Sequence, residues 1–103
     1  MSDQPTVRDN PERNQFEIDL GDGDFAYAKY NLLPGAIRFY HTVVPESHGG
    51  QGLGTMLIKA SLAAARERGL KVIPICPFFR AYLKKHPEEL DIVDPAHLNL
   101  VQD

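Results

Sequence analysis

The sequence predicts a single α/β domain of the α+β kind, with a mainly antiparallel sheet and two main helices. Three observations predict it. Apolar residues alternate with polar ones from Phe16 to Val44, apolar residues recur at spacings of three and four from Leu53 to Ala64, and an apolar run at 70–76 leads into Pro77. A chain of 103 residues supports one core rather than two. Hydrophobic residues at 43% and charged residues at 24% are ordinary for a folded domain, so neither disorder nor a disulfide scaffold is needed.

Residues 1–13 are polar and carry Pro5 and Pro11, which suits a flexible leader; the domain is expected over 14–93, with a patternless tail at 94–103. Phe16, Ile18 and Leu20 alternate with Glu17 and Asp19, and Gly21-Asp22-Gly23-Asp24 turns the chain into a second strand over 25–33. Pro34-Gly35 ends it. The third strand, 36–44, is expected to place Ile37, Phe39, His41 and Val43 on one face, completing an antiparallel meander. Leu53, Met56, Leu57, Ala60 and Ala64 mark a helix running to Arg68, where Arg66 and Arg68 complement the dipole and Gly69 supplies a left-handed stop. Residues 70–76 read as a strand covered on both faces, and Pro77 suits the first position of a second helix to Lys85, closed by His86-Pro87. Within that strand Pro74 removes a ladder hydrogen bond, so the strand is expected to part from its neighbour there. A structural proline at an edge is the plainer reading.

Eleven Lys and Arg against 14 Asp and Glu give a net charge of −3, no general electrostatic reason to bind nucleic acid or an anionic membrane. Without a signal-like apolar leader or a membrane-length apolar run, the expected location is cytoplasmic. The lone Cys76 cannot form an intrachain disulfide, and the four histidines lack paired spacing, so no metal is expected. A monomer or weak homodimer is the expected state.

Gly49-Gly50-Gln51-Gly52-Leu53-Gly54-Thr55 joins the third strand to the long helix. Helix starts prefer Ser, Thr, Asp or Asn, and each glycine inside a helix costs about 1 kcal/mol relative to alanine. Four glycines therefore call for a reason. Glycine permits positive φ and close approach of a ligand, and the free N–H groups of a helix start attract an anion such as a pyrophosphate. No carboxylate occurs from Ser47 to Ala65 to complement the dipole internally. A Walker loop is excluded because Thr55 stands where its lysine belongs, and a dinucleotide fingerprint because Gly50, Gly52 and Gly54 fall at every second position. A tight strand-to-helix turn without a ligand is the alternative.

Val43-Val44-Pro45 followed by Gly50-Gln51-Gly52-Leu53-Gly54 resembles the coenzyme A signature of the GNAT acetyltransferases, Q/R-x-x-G-x-G/A. His41-Thr42, the stretch from Leu70 through Pro74-Ile75-Cys76-Pro77 to Phe78, and His86-Pro87-Glu88 are similar to the short, stand-alone "N-acetyltransferase domain-containing" members of that family. The resemblance implies a compact GNAT-like fold with a splayed strand pair. It also implies acetyl-coenzyme A as cosubstrate, bound by Gly49, Gly50, Gln51, Gly52, Leu53, Gly54 and Thr55. The pantetheine arm would lie against Val43 and Val44, with its thioester end near Cys76 and Pro77. Gly49 departs from the signature's usual Arg or Gln, which removes a side-chain contact that His48 or Gln51 would have to replace. The chain also lacks the helix pair that many GNAT enzymes carry between their first two strands, leaving the acceptor side open.

Acetyl transfer to an amine needs a neutral nucleophile, donors for the developing oxyanion and an acid for the departing thiolate. Cys76, just before a helix, could accept the acetyl group or line the thioester, or be a small buried hydrophobe. His41 is a candidate general base, or else a core histidine. Tyr82 resembles the tyrosine with which many GNAT enzymes protonate the leaving thiolate, and packing explains it equally; His86 reads as a dipole partner. The expected function is acetyl transfer from acetyl-coenzyme A to an unidentified amine. The rivals are a non-catalytic module that senses coenzyme A or acyl-CoA, and a small interaction domain without a cofactor.

Overall fold

The computed structural model describes residues 6–21, 23–49 and 52–102. Five strands lie side by side in chain order: β1 (Val7–Asn10), β2 (Gln15–Asp19), β3 (Phe25–Leu33), β4 (Ala36–Val43) and β5 (Lys71–Pro74). The first four form an antiparallel meander, and β5 joins β4 in parallel after the chain crosses over through helix α1 (Leu53–Glu67). A second helix, α2 (Pro77–Lys85), follows β5 with Pro77 in its first turn.

Both helices pack on the same face of the sheet. Phe16, Ile18, Ala28, Tyr30 and Phe39 point to that face and join Leu57, Leu62, Phe79 and Leu83 in one core. Phe39 stacks on Phe79 at 4.3 Å between ring centroids, so the centre of β4 is fixed directly to α2. The buried stripe of α1 is Leu53, Leu57, Ile58, Ser61, Leu62 and Ala65, turned slightly from the expected one and leaving Met56 and Ala64 at its margin. Ser61 is tolerated in the core because its hydroxyl donates to the Leu57 carbonyl at 2.6 Å. Gly69, at φ 69°, ends the helix, and Leu70 N–H closes it by donating to the Ala65 carbonyl.

Two expectations are corrected at the termini. Residues 7–10, expected within a loose leader, form β1, with Val7 opposite Ile18 and Asn10 opposite Gln15. The strand is held by polar side chains rather than an apolar stripe. Arg8 and Asn10 donate to Glu17, while Asp9 accepts from the Tyr30 hydroxyl at 2.6 Å and from Arg68 at 2.8 Å. The expected tail also packs: Asp94 N–H donates to the Val72 carbonyl, a 3-10 turn spans Pro95–Leu100, and Val101 is buried. The segment thus covers the outer edge of β5.

A third correction concerns β4. Lys29 pairs with His41 and Tyr30 with Phe39, so Tyr40 is an extra residue and the strand carries a bulge. One extra residue exchanges the faces of everything beyond it. Thr42 therefore turns toward the core with Ile37 and Phe39 and is buried, while His41 is exposed on the opposite face.

Candidate functional site

Pairing between β4 and β5 ends at Phe39 and Pro74. Beyond that point the N–H groups of Ile75 and Cys76 both converge on the Phe39 carbonyl, at 3.0 and 2.9 Å, and β5 turns into α2. Pro74 sits where the two strands part. Beyond the bulge at Tyr40, residues 41–43 of β4 are left paired to β3 alone, with a free edge facing the opening.

The chain then passes through a 3-10 turn at Glu46–His48 into α1. Gly52 is the residue before the helix and adopts φ 73°, ψ 18°, a left-handed conformation that costs other residues about 1–2 kcal/mol. Its carbonyl accepts the first helical hydrogen bond, from Met56 N–H at 3.1 Å, so the N–H groups of Leu53, Gly54 and Thr55 precede the helical ladder. Among the described residues no side chain caps them, and no acid lies in the first turn. Gly54 faces Phe78 of α2 and Val44: a Cβ built on it would stand 3.9 Å from both side chains.

These amides open on a cleft of about 710 Å³ between the start of α1 and α2. Val44, Gly49, Gly52, Leu53, Gly54 and Thr55 line one side, with Phe78, Ala81, Tyr82, Lys85 and His86 on the other. Among the described residues Glu46 is its one carboxylate, while Lys59 of α1 and Lys85 of α2 bring positive charge from opposing walls. A helix start without an internal counter-charge, beside two lysines, is chemically suited to a polyanion.

The sequence-derived candidates separate into three places. Gly49, Gly52, Leu53, Gly54, Thr55, Val44 and Tyr82 line the cleft, and His48, suggested as a substitute contact, lines it as well. Gly50 and Gln51 lie outside the described residues. Cys76 and Pro77 form the cap and first residue of α2, but Cys76 is 3% exposed and belongs to the buried core rather than the cleft lining, its thiol donating to Thr42 Oγ1 at 3.2 Å. His41 stands on the reverse face of the sheet with its ring 6.3 Å from that of Tyr27, and Val43 faces that side too. Tyr82 stacks on His86 at 4.1 Å. Burial, with the charges of Glu89 and Glu88 behind it, holds the Tyr82 phenol above the ordinary tyrosine pKa, so it keeps its proton.

Three relevant residues escaped the sequence reading. Lys59 lies one turn after Thr55 and Lys85 one turn after Ala81, so helical spacing from cleft residues marks them. Thr42 became a partner of Cys76 only through the bulge at Tyr40, which has no signature in the pattern.

The fold and the cleft define an acyltransferase of the GNAT type, and residues 15–92 match the GCN5-related N-acetyltransferase family. The chain belongs to that family. It is 32% identical over 83 residues to Protein NATD1 of Mus musculus and, to the same extent, of Homo sapiens, covering 79% of this chain and 76% and 74% of those proteins. It also resembles the NMR solution structure of a GCN5-like protein from Staphylococcus aureus, with a TM-score of 0.67 and 32% identity over 86% of this chain and 87% of that one. Among the described residues no cluster of His, Cys, Asp and Glu could hold a metal, and no helix is long and apolar enough to cross a membrane.

Proposed function

We propose that the protein transfers the acetyl group of acetyl-coenzyme A to an amine. The observation that carries this reading is the uncapped start of α1 opening on a cleft that adjoins the free edge of β4. A molecule with a diphosphate at one end and an amide-rich arm at the other suits that combination. The N–H groups of Leu53, Gly54 and Thr55 would hold the diphosphate, Lys59 and Lys85 would supply charge, and unpaired backbone of β4 would meet the arm. When bound, acetyl-coenzyme A supplies an activated acyl carbon; the chain supplies position and proton control.

In the transfer, the amine nitrogen forms a bond to the acyl carbon, the carbon–sulfur bond breaks, and a proton passes from the amine side while the sulfur gains one. Tyr82 is suited to giving that proton, since it lines the cleft and its phenol is held protonated. The buried Cys76, bonded to Thr42, supports direct attack by the amine over an acetyl-cysteine route. Release of free thiol from acetyl-coenzyme A across a panel of amines tests the reading, with amine-dependent release as the expected result. A second reading, a coenzyme A-binding module without turnover, is favoured by one observation: Cys76 and His41 do not converge with Tyr82 in the cleft. Coenzyme A binding without thiol release for any amine would establish it.

A further inference from the structure

The end of β4 separates two cavities. Val44 lines the cleft described above, whereas Val43, its neighbour in the chain, lines a second cavity of about 520 Å³ on the reverse face of the sheet. Across that face Arg8, Glu17, Tyr27 and Val43 are successive partners in β1 to β4, and Asn10, Gln15, Lys29 and His41 form the next row.

The floor of this cavity holds an ionised acid that is 1% exposed, Glu17. Burial pushes its carboxyl pKa up, but hydrogen bonds from Gln15, Arg8 and Asn10 and the Arg8 charge outweigh this and hold it low. Glu17 Oε2 accepts from both Nε and Nη2 of Arg8, while Oε1 accepts from Gln15 at 2.7 Å and Asn10 at 3.2 Å. Those bonds saturate the carboxylate, so it anchors donors and has no capacity left for a ligand. Arg8, Asn10 and Gln15 each retain further N–H groups. Arg13 and Lys29 add two cations to the lining; Lys29 donates to the Arg13 carbonyl at 3.3 Å and lies over the Tyr27 ring, and neither cation meets a carboxylate among the described residues. Asp24, at the rim, is the other acid. The lining is rich in donors, and its one buried carboxylate is already filled. Its complement is an anion. Phe25, Tyr27, Val43 and Pro45 offer an apolar border that suits a short carbon chain.

Building on the acetyl-transfer reading, we infer that this cavity holds the acceptor by a carboxylate, and that the acceptor is a small amino-acid-like compound. Lys29 and Val43 are diagonal neighbours across β3 and β4, roughly 7–8 Å apart, so a carboxylate at Lys29 and Arg13 sets an amine a few bonds away beside the free edge of β4. The amine would form its bond to the acyl carbon there as coenzyme A thiol departs, each proton moving as stated above.

The test is nitrogen-15 shift mapping of the full chain saturated with coenzyme A. It is titrated with ω-amino acids from glycine to ε-aminocaproate and, separately, with the amide of each. The acids should shift the Gln15, Glu17, Tyr27 and Lys29 resonances saturably, with at least about fivefold lower Kd than their amides, because charge-assisted hydrogen bonds are lost in the amide. Arg13→Gln with Lys29→Gln should erase that preference; Arg13 is exposed and Lys29 half-buried, and the remaining spectrum reports an intact fold. Equal affinity for acids and amides, or no shift on that face from any member of either series, would overturn the inference. Coenzyme A shifts at Leu53, Gly54 and Thr55 in the same sample report separately on the acetyl-transfer reading. If those are present and the acid shifts absent, only the acceptor assignment fails; if coenzyme A shifts nothing, the acetyl-transfer reading itself fails.

Discussion

Gly54→Ala separates binding from folding. Gly54 lies in the first turn of α1 with helical backbone, and a methyl there would rest 3.9 Å from Phe78 and Val44, ordinary van der Waals contact. Nothing in the protein has to move. Replacing glycine by alanine in a helix gains about 0.5–1 kcal/mol, so the melting temperature should rise by roughly 2–8 °C for a domain of this size. The same methyl enters the cleft between the amides and the wall formed by Phe78. A ligand that approaches this backbone closely then loses its fit, at a cost of about 1–3 kcal/mol, and the coenzyme A Kd should rise at least about tenfold. Thermal unfolding and calorimetric titration on one preparation read both quantities. A stabilised variant with unchanged affinity would refute the cradle, and a destabilised one would refute the packing argument at Gly54.

Gly52→Val should act differently, losing stability to left-handed strain of about 1–2 kcal/mol as well as coenzyme A affinity, since among the described residues no atom beyond its chain neighbours lies within 4 Å of the added Cβ; unfolding and binding curves on that variant check it. Removing charge with Lys59→Ala and Lys85→Ala should weaken coenzyme A binding and flatten its dependence on salt, measured by titration at two ionic strengths. Tyr82→Phe should lower kcat in thiol release while leaving the coenzyme A Kd nearly unchanged; equal loss in both would make Tyr82 a packing residue. Tyr30 gives a pH test. Burial and the bond to Asp9 raise its pKa from 10.0 to about 12. A raised pKa means that this contribution is complete below pH 10 and is lost as pH climbs through 12, roughly 3 kcal/mol at most. Urea unfolding at mildly and strongly alkaline pH should show that loss in the native chain and not in Tyr30→Phe.

What the sequence made legible follows from where the chain's signals are local. Period-two alternation and Pro34-Gly35 located β3 and β4, three-and-four spacing with Gly69 located α1, and Pro77 located α2. The glycine run located the cleft because each of its cues belongs to one short segment: positive φ at Gly52, no acid nearby, a helix start. β1 was illegible because its stability comes from partners distant in sequence, Glu17, Tyr30 and Arg68, and polar pairing leaves no alternation to read. The 94–102 segment hid for the same reason, since Val93 and Val101 find their places against β5 and the core rather than in a repeating pattern. Among the catalytic candidates the obstacle was the Tyr40 bulge. Strict alternation puts His41 with Phe39; one inserted residue puts Thr42 there instead and sends His41 to the reverse face. The reverse cavity depends on register across four strands, which no single segment encodes.

The most direct test of the account is where coenzyme A lands on the backbone. Adding it to nitrogen-15-labelled protein should produce saturable shifts largest at Leu53, Gly54 and Thr55, with smaller ones at Lys59 and Lys85. Saturable binding that leaves those three amides unmoved, or no binding at millimolar ligand, would contradict it.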